Sequence, residues 1–193
     1  MRHLIDNYIQ ADEPQNISPF GELSLIELIV KTGIADAISS LPKGIKGNKE
    51  AVAETIENNV RSKIMKDHLI DPAFFEEMSV LLSAIIKERK EKAISYEVYL
   101  KKVAELAQRV QEGKSEATPD TMNTPAKRVL YNNLGKNKES TLAVHSAVIK
   151  YRPDGWRDND AKENVIKHRL YEVLQDKDEV EKIFPIIKEQ GEY

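Results

Sequence analysis

Apolar residues recur at helical spacing through most of this chain. The clearest run places Tyr96, Tyr99, Val103, Leu106 and Val110 at steps of three, four, three and four residues, which puts all five on one side of an α-helix. Few segments alternate as a half-buried strand would. The sequence therefore predicts an all-α fold, a multi-helix bundle of about eight to nine helices that forms either one unit or two packed helical lobes.

Helix starts are marked by side chains that can accept free backbone amides. Ser24 and Glu27 have the spacing of a capping box, Asn48 and Ser95 precede apolar runs, and Asp71 is followed by Pro72. Proline is favoured at the first helical position, where its missing amide costs nothing. The segment 41–47, with Pro42, Gly44 and Gly47, predicts a loop.

The segment 113–123 divides the chain. It is rich in Lys, Ser, Thr, Pro and Asp, which predicts a mobile linker or surface loop between sub-lobes 1–112 and 124–193. Pro185 lies in the final helical pattern and is expected to kink or split that helix. Leu4, Ile5, Tyr8 and Ile9 form an apolar face directly after Met1 with no capping residue ahead of it, which suggests a domain cut from a larger protein.

Charge and composition narrow the function classes. Lys and Arg number 29 against 32 Asp and Glu, a net charge of −3, so any contact with nucleic acid is expected to be local. The chain has no cysteine, which excludes disulfides and thiolate zinc sites and fits a cytoplasmic protein. The longest apolar runs are far shorter than the roughly 20 residues of a membrane span, so no membrane association is expected.

The sequence gives little support for a catalytic site. Residues 44–47 are the nearest match to a phosphate-binding loop, and a turn explains them better. Asp154, Asp160 and Lys162 have the letters of a metal-dependent nuclease, but the second half of that pattern opens a helix, where Asp160 is better explained as a cap. The four histidines lack metal-ligand spacing. We expect no catalytic residue, cofactor site or metal ligand in this chain.

The most suggestive binding segment is 150–157, which surrounds the only tryptophan with cations. Arginine and tryptophan together favour phosphate, stacked-base or protein contacts. Alternatively, Trp156 fills the core while Arg152 and Arg157 pair with nearby Asp154, Asp158 or Glu163. The candidate binding surface consists of Lys150, Arg152, Trp156, Arg157, Lys167 and Arg169.

A series of short segments resembles the carboxy-terminal region of the R subunit of type I restriction enzymes, in order and spacing, across nearly the whole chain. The segments are ETIENNVR at 54–61, DPAFFEEMS at 71–79, YEVYL at 96–100, NTPA at 123–126, YNNL at 131–134, DGWR at 154–157 and EY at 192–193.

The resemblance implies that residues 1–193 are one helical C-terminal domain of an ATP-dependent type I site-specific deoxyribonuclease. Nuclease and motor chemistry, with ATP and Mg²⁺, would then lie outside this chain. The domain would be a non-catalytic assembly module that docks the motor onto the methyltransferase and specificity subunits. The alternative is an accessory DNA-contacting module, in which the duplex near the motor exit is touched by Arg152, Trp156, Arg157, Lys167 and Arg169.

Overall fold

The computed structural model describes residues 24–115 and 117–193, and within them all regular structure is helical. The predicted all-α fold is confirmed, and the number of helices is close to the predicted one. The predicted face through Leu4 and Ile9 lies outside the described residues. The helices are α1 (Leu25–Thr32), α2 (Ile34–Ser39), α3 (Lys43–Lys46), α4 (Lys49–Asp67), α5 (Pro72–Lys90), α6 (Tyr96–Glu112), α7 (Pro125–Asn133), α8 (Lys138–Tyr151), α9 (Asp160–Leu174) and α10 (Lys177–Glu189).

The caps predicted at Ser24, Asn48, Asp71 and Ser95 are in place. The Ser24 hydroxyl accepts the Glu27 amide, and the Glu27 carboxylate accepts the Ser24 amide. Asn48 and Ser95 likewise accept amides of the first turns of α4 and α6. Each cap satisfies backbone donors that the helix itself cannot pair.

Two local predictions were wrong, and of the kink or split expected at Pro185 the split is not observed. The segment 41–47 contains a helical turn, α3, because the carbonyl of Pro42 accepts the amides of Ile45 and Lys46. Asn159, not Asp160, caps α9, and Asp160 is its first helical residue. The final helix is not split at Pro185, since buried side chains on both sides of the proline hold it against the core. Those side chains are Ile183, Phe184 and Ile187.

The buried apolar residues form two clusters. The first core takes its residues from Leu25 to Val110, on α1, α2 and α4 to α6, and the second from Ala126 to Tyr193, on α7 to α10. The connecting segment 113–123 is not simply a surface linker, because Met122 and Thr118 are buried. It is therefore packed against the protein at two points.

One buried ion pair crosses the first core. Arg89 Nε lies 2.9 Å from Glu57 Oε1, and Arg89 Nη1 lies 2.6 Å from Glu50 Oε2. The Tyr99 hydroxyl donates to Glu57 Oε1 at 3.1 Å, within reach also of the carbonyl of Ala53. Burial and then the Glu57 carboxylate raise the pKa of Tyr99, so its hydroxyl stays a donor. These groups join α4, α5 and α6 through one carboxylate.

A second polar cluster joins the two cores. Asp71 is 4% exposed; its Oδ1 accepts Nδ2 of Asn133 and its Oδ2 accepts Nδ2 of Asn132, both at 2.7 Å. Asn133 Oδ1 accepts the amide of Ala73 in return, at 3.2 Å. Gln190 adds a bond from its Nε2 to the carbonyl of Ile70 at 3.0 Å. The cap of α5 is therefore also the attachment point of α7.

Asp71 makes the stability of the fold depend on pH. Burial raises its pKa from 3.8 to about 6, although the two asparagines and the Phe74 amide oppose the shift. The folded state therefore holds this proton more tightly than the unfolded state. The stabilisation that the proton provides is complete below pH 3.8 and is lost as the pH rises through about 6. A shift of this size corresponds to about 3 kcal/mol at most.

We expect Asp71→Asn to remove this dependence, since the amide does not titrate. Exposed carboxylates with lowered pKa, such as Glu50 and Glu172, act in the opposite direction in both proteins. The measured quantity is therefore the difference between the unfolding free energies of variant and parent, from urea titrations between pH 4 and 7. That difference is expected to move in favour of the variant by up to about 3 kcal/mol as the pH rises; a constant difference would contradict the prediction.

Candidate functional site

Trp156 lies inside the second core. It is 3% exposed, and its ring centroid is 6.0 Å from that of Phe184. The Arg157 guanidinium covers the ring at 4.6 Å from its centroid. The indole Nε1 has no hydrogen-bond partner among the described residues. Of the two sequence-based alternatives, the core position is the one observed, so the indole face is not open to a base or a partner.

Arg157 binds the end of the described chain. Its Nε, Nη2 and Nη1 donate to the main-chain oxygens of Lys188, Gln190 and Tyr193 at 2.9, 2.6 and 3.0 Å. Arg152 adds a bond from Nη1 to the main-chain oxygen of Glu192 at 2.8 Å. Both arginines therefore bind the backbone, and their predicted pairing with nearby carboxylates was wrong.

The carboxylates expected to pair with those arginines have another partner. Lys188 Nζ lies 2.7 Å from Glu163 Oε1 and 3.2 Å from Asp158 Oδ1. This pairing lowers the pKa of Glu163 and raises that of Lys188. Lys188 comes from α10, so its charge joins that helix to the start of α9.

Side chains of the terminal residues add to this attachment. Tyr193 is buried, and its hydroxyl lies 2.8 Å from Nδ1 of His145. Burial and then Lys127 lower the pKa of His145, which favours a neutral ring. Glu192 Oε2 accepts the amide of Ala126 at 3.2 Å. Residues 190–193 are therefore an integral part of the second core, a role that sequence reasoning missed because the partners are distant in the chain.

The remaining candidate cations lie beside carboxylates or aromatic rings of the protein itself. Lys167 pairs with Glu181 at 2.7 Å, and its ammonium lies 4.9 Å from the centre of the Phe184 ring. Arg169 bonds both carboxylate oxygens of Glu172 at 2.8 Å. Arg169 and Lys150 also lie against the Tyr151 ring, at 4.6 and 5.0 Å from its centroid. These charges are largely satisfied within the protein.

Lys162 and Asp154, two of the residues that match the nuclease pattern, contact each other through the main chain of Asp154. Lys162 Nζ donates to the main-chain oxygen of Asp154 at 2.6 Å, so it supports the loop before α9. Within residues 24–115 and 117–193, no group of three or more His, Asp or Glu side chains is placed to hold a metal ion.

A groove of about 820 Å³ lies where the two cores meet. The turn between α4 and α5 provides Leu69, the first residue of α5 is Pro72, the end of α7 provides Asn133, and α10 forms the long wall. Leu69 is 75% exposed, so an apolar side chain stands at the edge of an open depression. From α10 come Asp176 (its cap), Asp178, Glu179, Lys182, Ile183, Pro185, Ile186 and Glu189.

The groove combines apolar and acidic character. Leu69, Pro72, Ile183, Pro185 and Ile186 provide apolar surface. The charged lining contains four carboxylates and one lysine, a formal sum of 1 − 4 = −3. The whole chain has the same net charge, −3, spread over 193 residues. The lining of the groove is therefore much more acidic than the chain is on average. Sequence reasoning missed this groove because its walls come from segments more than 100 residues apart.

The described residues thus define an all-helical domain with two cores, a polar junction between them and an acidic groove beside that junction. None of its helices is both long enough and apolar enough to cross a membrane. Comparison of the chain with protein-family models, with curated proteins and with solved structures finds no match.

Proposed function

We propose that this chain is a non-catalytic assembly domain of the R subunit of a type I restriction enzyme. In this role it helps to dock the ATP-dependent, DNA-translocating nuclease onto the methyltransferase and specificity subunits. The parent enzyme acts on DNA, so the proposal places the chain in the cytoplasm. ATP and Mg²⁺ would be bound by the parent subunit outside residues 1–193.

The observation that carries the proposal is where the resembling segments meet. Asp71, in DPAFFEEMS, bonds Asn132 and Asn133, in YNNL, across 61 and 62 residues of chain. Arg157, in DGWR, bonds the main-chain oxygen of Tyr193, in EY, across 36 residues. The segments that carry the resemblance therefore include the ones that attach α7 to α5 and the terminal residues to the second core. A structural role of this kind is what supports a helical assembly domain.

An assembly role is also supported by what the polar side chains do. Arg152 and Arg157 bind the backbone of residues 188–193, and Lys162 supports its own loop. Their donors hold the fold together, while the acidic groove presents open apolar surface. Exposed apolar surface rimmed by polar residues is typical of protein interaction sites.

The alternative of an accessory DNA contact needed an exposed tryptophan beside free cations. Trp156 is buried, and Arg157, Lys167 and Arg169 have partners within the protein. The groove, with its carboxylates, repels phosphate. DNA contact would then depend on a few lysines such as Lys150, and it is the weaker proposal.

The test is calorimetric titration of the chain into the methyltransferase and specificity complex of the same restriction system. We expect a saturable heat and a joint peak in gel filtration. A titration into duplex DNA at two salt concentrations serves as the comparison, because phosphate binding weakens steeply as salt rises. Absence of both heat and co-elution with the complex would refute the assembly role, and salt-sensitive binding to DNA alone would favour the alternative.

A further inference from the structure

We propose that the acidic groove, lined by Leu69, Pro72, Asn133 and α10, is the docking site for a cationic amphipathic helix of a partner protein. This goes beyond the proposed function, because it specifies the chemistry of the occupant and holds whichever protein supplies the helix. The groove measures about 820 Å³, and its lining residues on α10 extend from Asp176 to Glu189, so it follows most of the length of that helix.

The negative charge of the groove lining favours a positively charged occupant. Asp178, Glu179 and Glu189 line the groove, and none of them forms an ion pair within the described part of the chain. Lys182 is the single cation of the lining. An anionic segment or a nucleic acid would add repulsion, whereas lysines and arginines of a partner would find unpaired carboxylates at the rim.

The apolar lining decides that the occupant is amphipathic. Leu69 projects into solvent, and Pro72, Pro185 and Ile186 continue the apolar surface across the groove. Covering this surface is favourable by roughly 25 cal/mol per Å² of apolar area. A purely cationic, hydrophilic segment would leave it in water. The occupant therefore needs an apolar face that meets these side chains and a basic edge that meets the rim.

An amphipathic helix presents an apolar stripe beside a polar edge along one side. The groove has the matching arrangement, because Pro72, Pro185 and Ile186 line it together with the carboxylates of α10. Laying the apolar face of such a helix into a hydrophobic groove is an established mode of recognition. The occupant that fits both features is therefore a helix.

The probe is a fluorescein-labelled model helix of leucine and lysine, measured by fluorescence anisotropy against the full chain. A matched leucine and glutamate helix and a scrambled leucine and lysine peptide are the comparison probes. We expect saturable binding of the cationic amphipathic helix only, weakening as salt is added because exposed charges are screened. Equal binding of the scrambled peptide, or no saturation, would overturn the proposal.

Variants locate the binding. Leu69→Lys and Glu189→Lys are each expected to weaken binding of the cationic helix by at least about tenfold, because they remove apolar contact or reverse a rim charge. Both positions are exposed, and circular dichroism checks that the fold is retained. Val80→Lys and Glu54→Lys repeat the same changes at exposed positions outside the groove and should leave affinity unchanged. Equal losses in both pairs would refute the groove as the site.

Two further outcomes separate this proposal from others. If the chain alone forms a dimer in gel filtration that Leu69→Lys disrupts, the occupant is a second copy, and the proposal is overturned. The same variants are also titrated into the methyltransferase and specificity complex. Binding of that complex without any effect of the groove variants, together with no saturable peptide binding, would refute the groove and leave the assembly role standing. Peptide binding in the groove without binding of the complex would support the groove and refute the assembly role.

Discussion

Replacing Arg89 with methionine is expected to lower the free energy of unfolding by about 3–5 kcal/mol. The loss of stability arises from Glu57, which stays buried at 5% exposure. Without the Arg89 guanidinium, the only side-chain donor to its carboxylate is the Tyr99 hydroxyl. A buried carboxylate without its cation costs far more than the lost pair itself contributes. Urea denaturation of parent and variant at neutral pH measures the difference.

Two comparisons identify the mechanism. The double variant Arg89→Met with Glu57→Met removes both charges, so we expect it to recover most of the loss. Lys102→Met breaks the ion pair with Glu88, whose side chains are both about 40% exposed; it should cost no more than about 1 kcal/mol. A double variant as unstable as Arg89→Met alone would show that packing of the arginine stem, and not the stranded charge, carries the effect.

Arg89 also shows how far the sequence could predict the first core. Spacing alone puts Phe75, Met78, Leu82, Ile85 and Arg89 on one side of a helix, but the charged run 87–92 predicts a solvated helix end, and the structure instead buries the Arg89 side chain. Its partner Glu57 lies 32 residues earlier and depends on how α4 packs against α5. Local sequence patterns predict helix caps and apolar helix faces. Ion pairs between helices follow only once the packing of those helices is known.

The candidate binding segment 150–157 shows the same limit of sequence-based prediction more clearly. Sequence reasoning paired Arg152 and Arg157 with the nearest carboxylates, but both bind main-chain oxygens 31 to 40 residues later. The last carbonyls of a helix have no intrahelical donors and carry partial negative charge. The Lys188 carbonyl at the end of α10 therefore competes successfully for the Arg157 guanidinium, and main-chain oxygens of residues 190–193, just beyond the helix, accept the remaining bonds. Proximity in the sequence gave no indication of this, because the competing acceptors are backbone atoms that no residue letter reveals.

Replacing Arg157 with alanine is expected to cost about 3 kcal/mol or more of unfolding free energy. Three charge-assisted hydrogen bonds disappear together, each of a kind that contributes about 1.5–3 kcal/mol with losses that are not additive. Trp156 also loses the guanidinium that covers its ring at 4.6 Å. We therefore expect a red shift of tryptophan fluorescence in the folded variant, together with faster amide exchange at residues 190–193.

Matched variants distinguish the geometry of Arg157 from its charge. Arg157→Lys keeps the cation but cannot reach three oxygens at once, so it should recover only part of the stability and of the fluorescence spectrum. Arg169→Ala removes an arginine paired at the surface with Glu172; because exposed ion pairs contribute little to stability, it should leave both the unfolding free energy and the emission of Trp156 nearly unchanged. Full recovery by lysine would mean that charge alone holds the terminal segment, and the planar fork of the guanidinium would then have no special role.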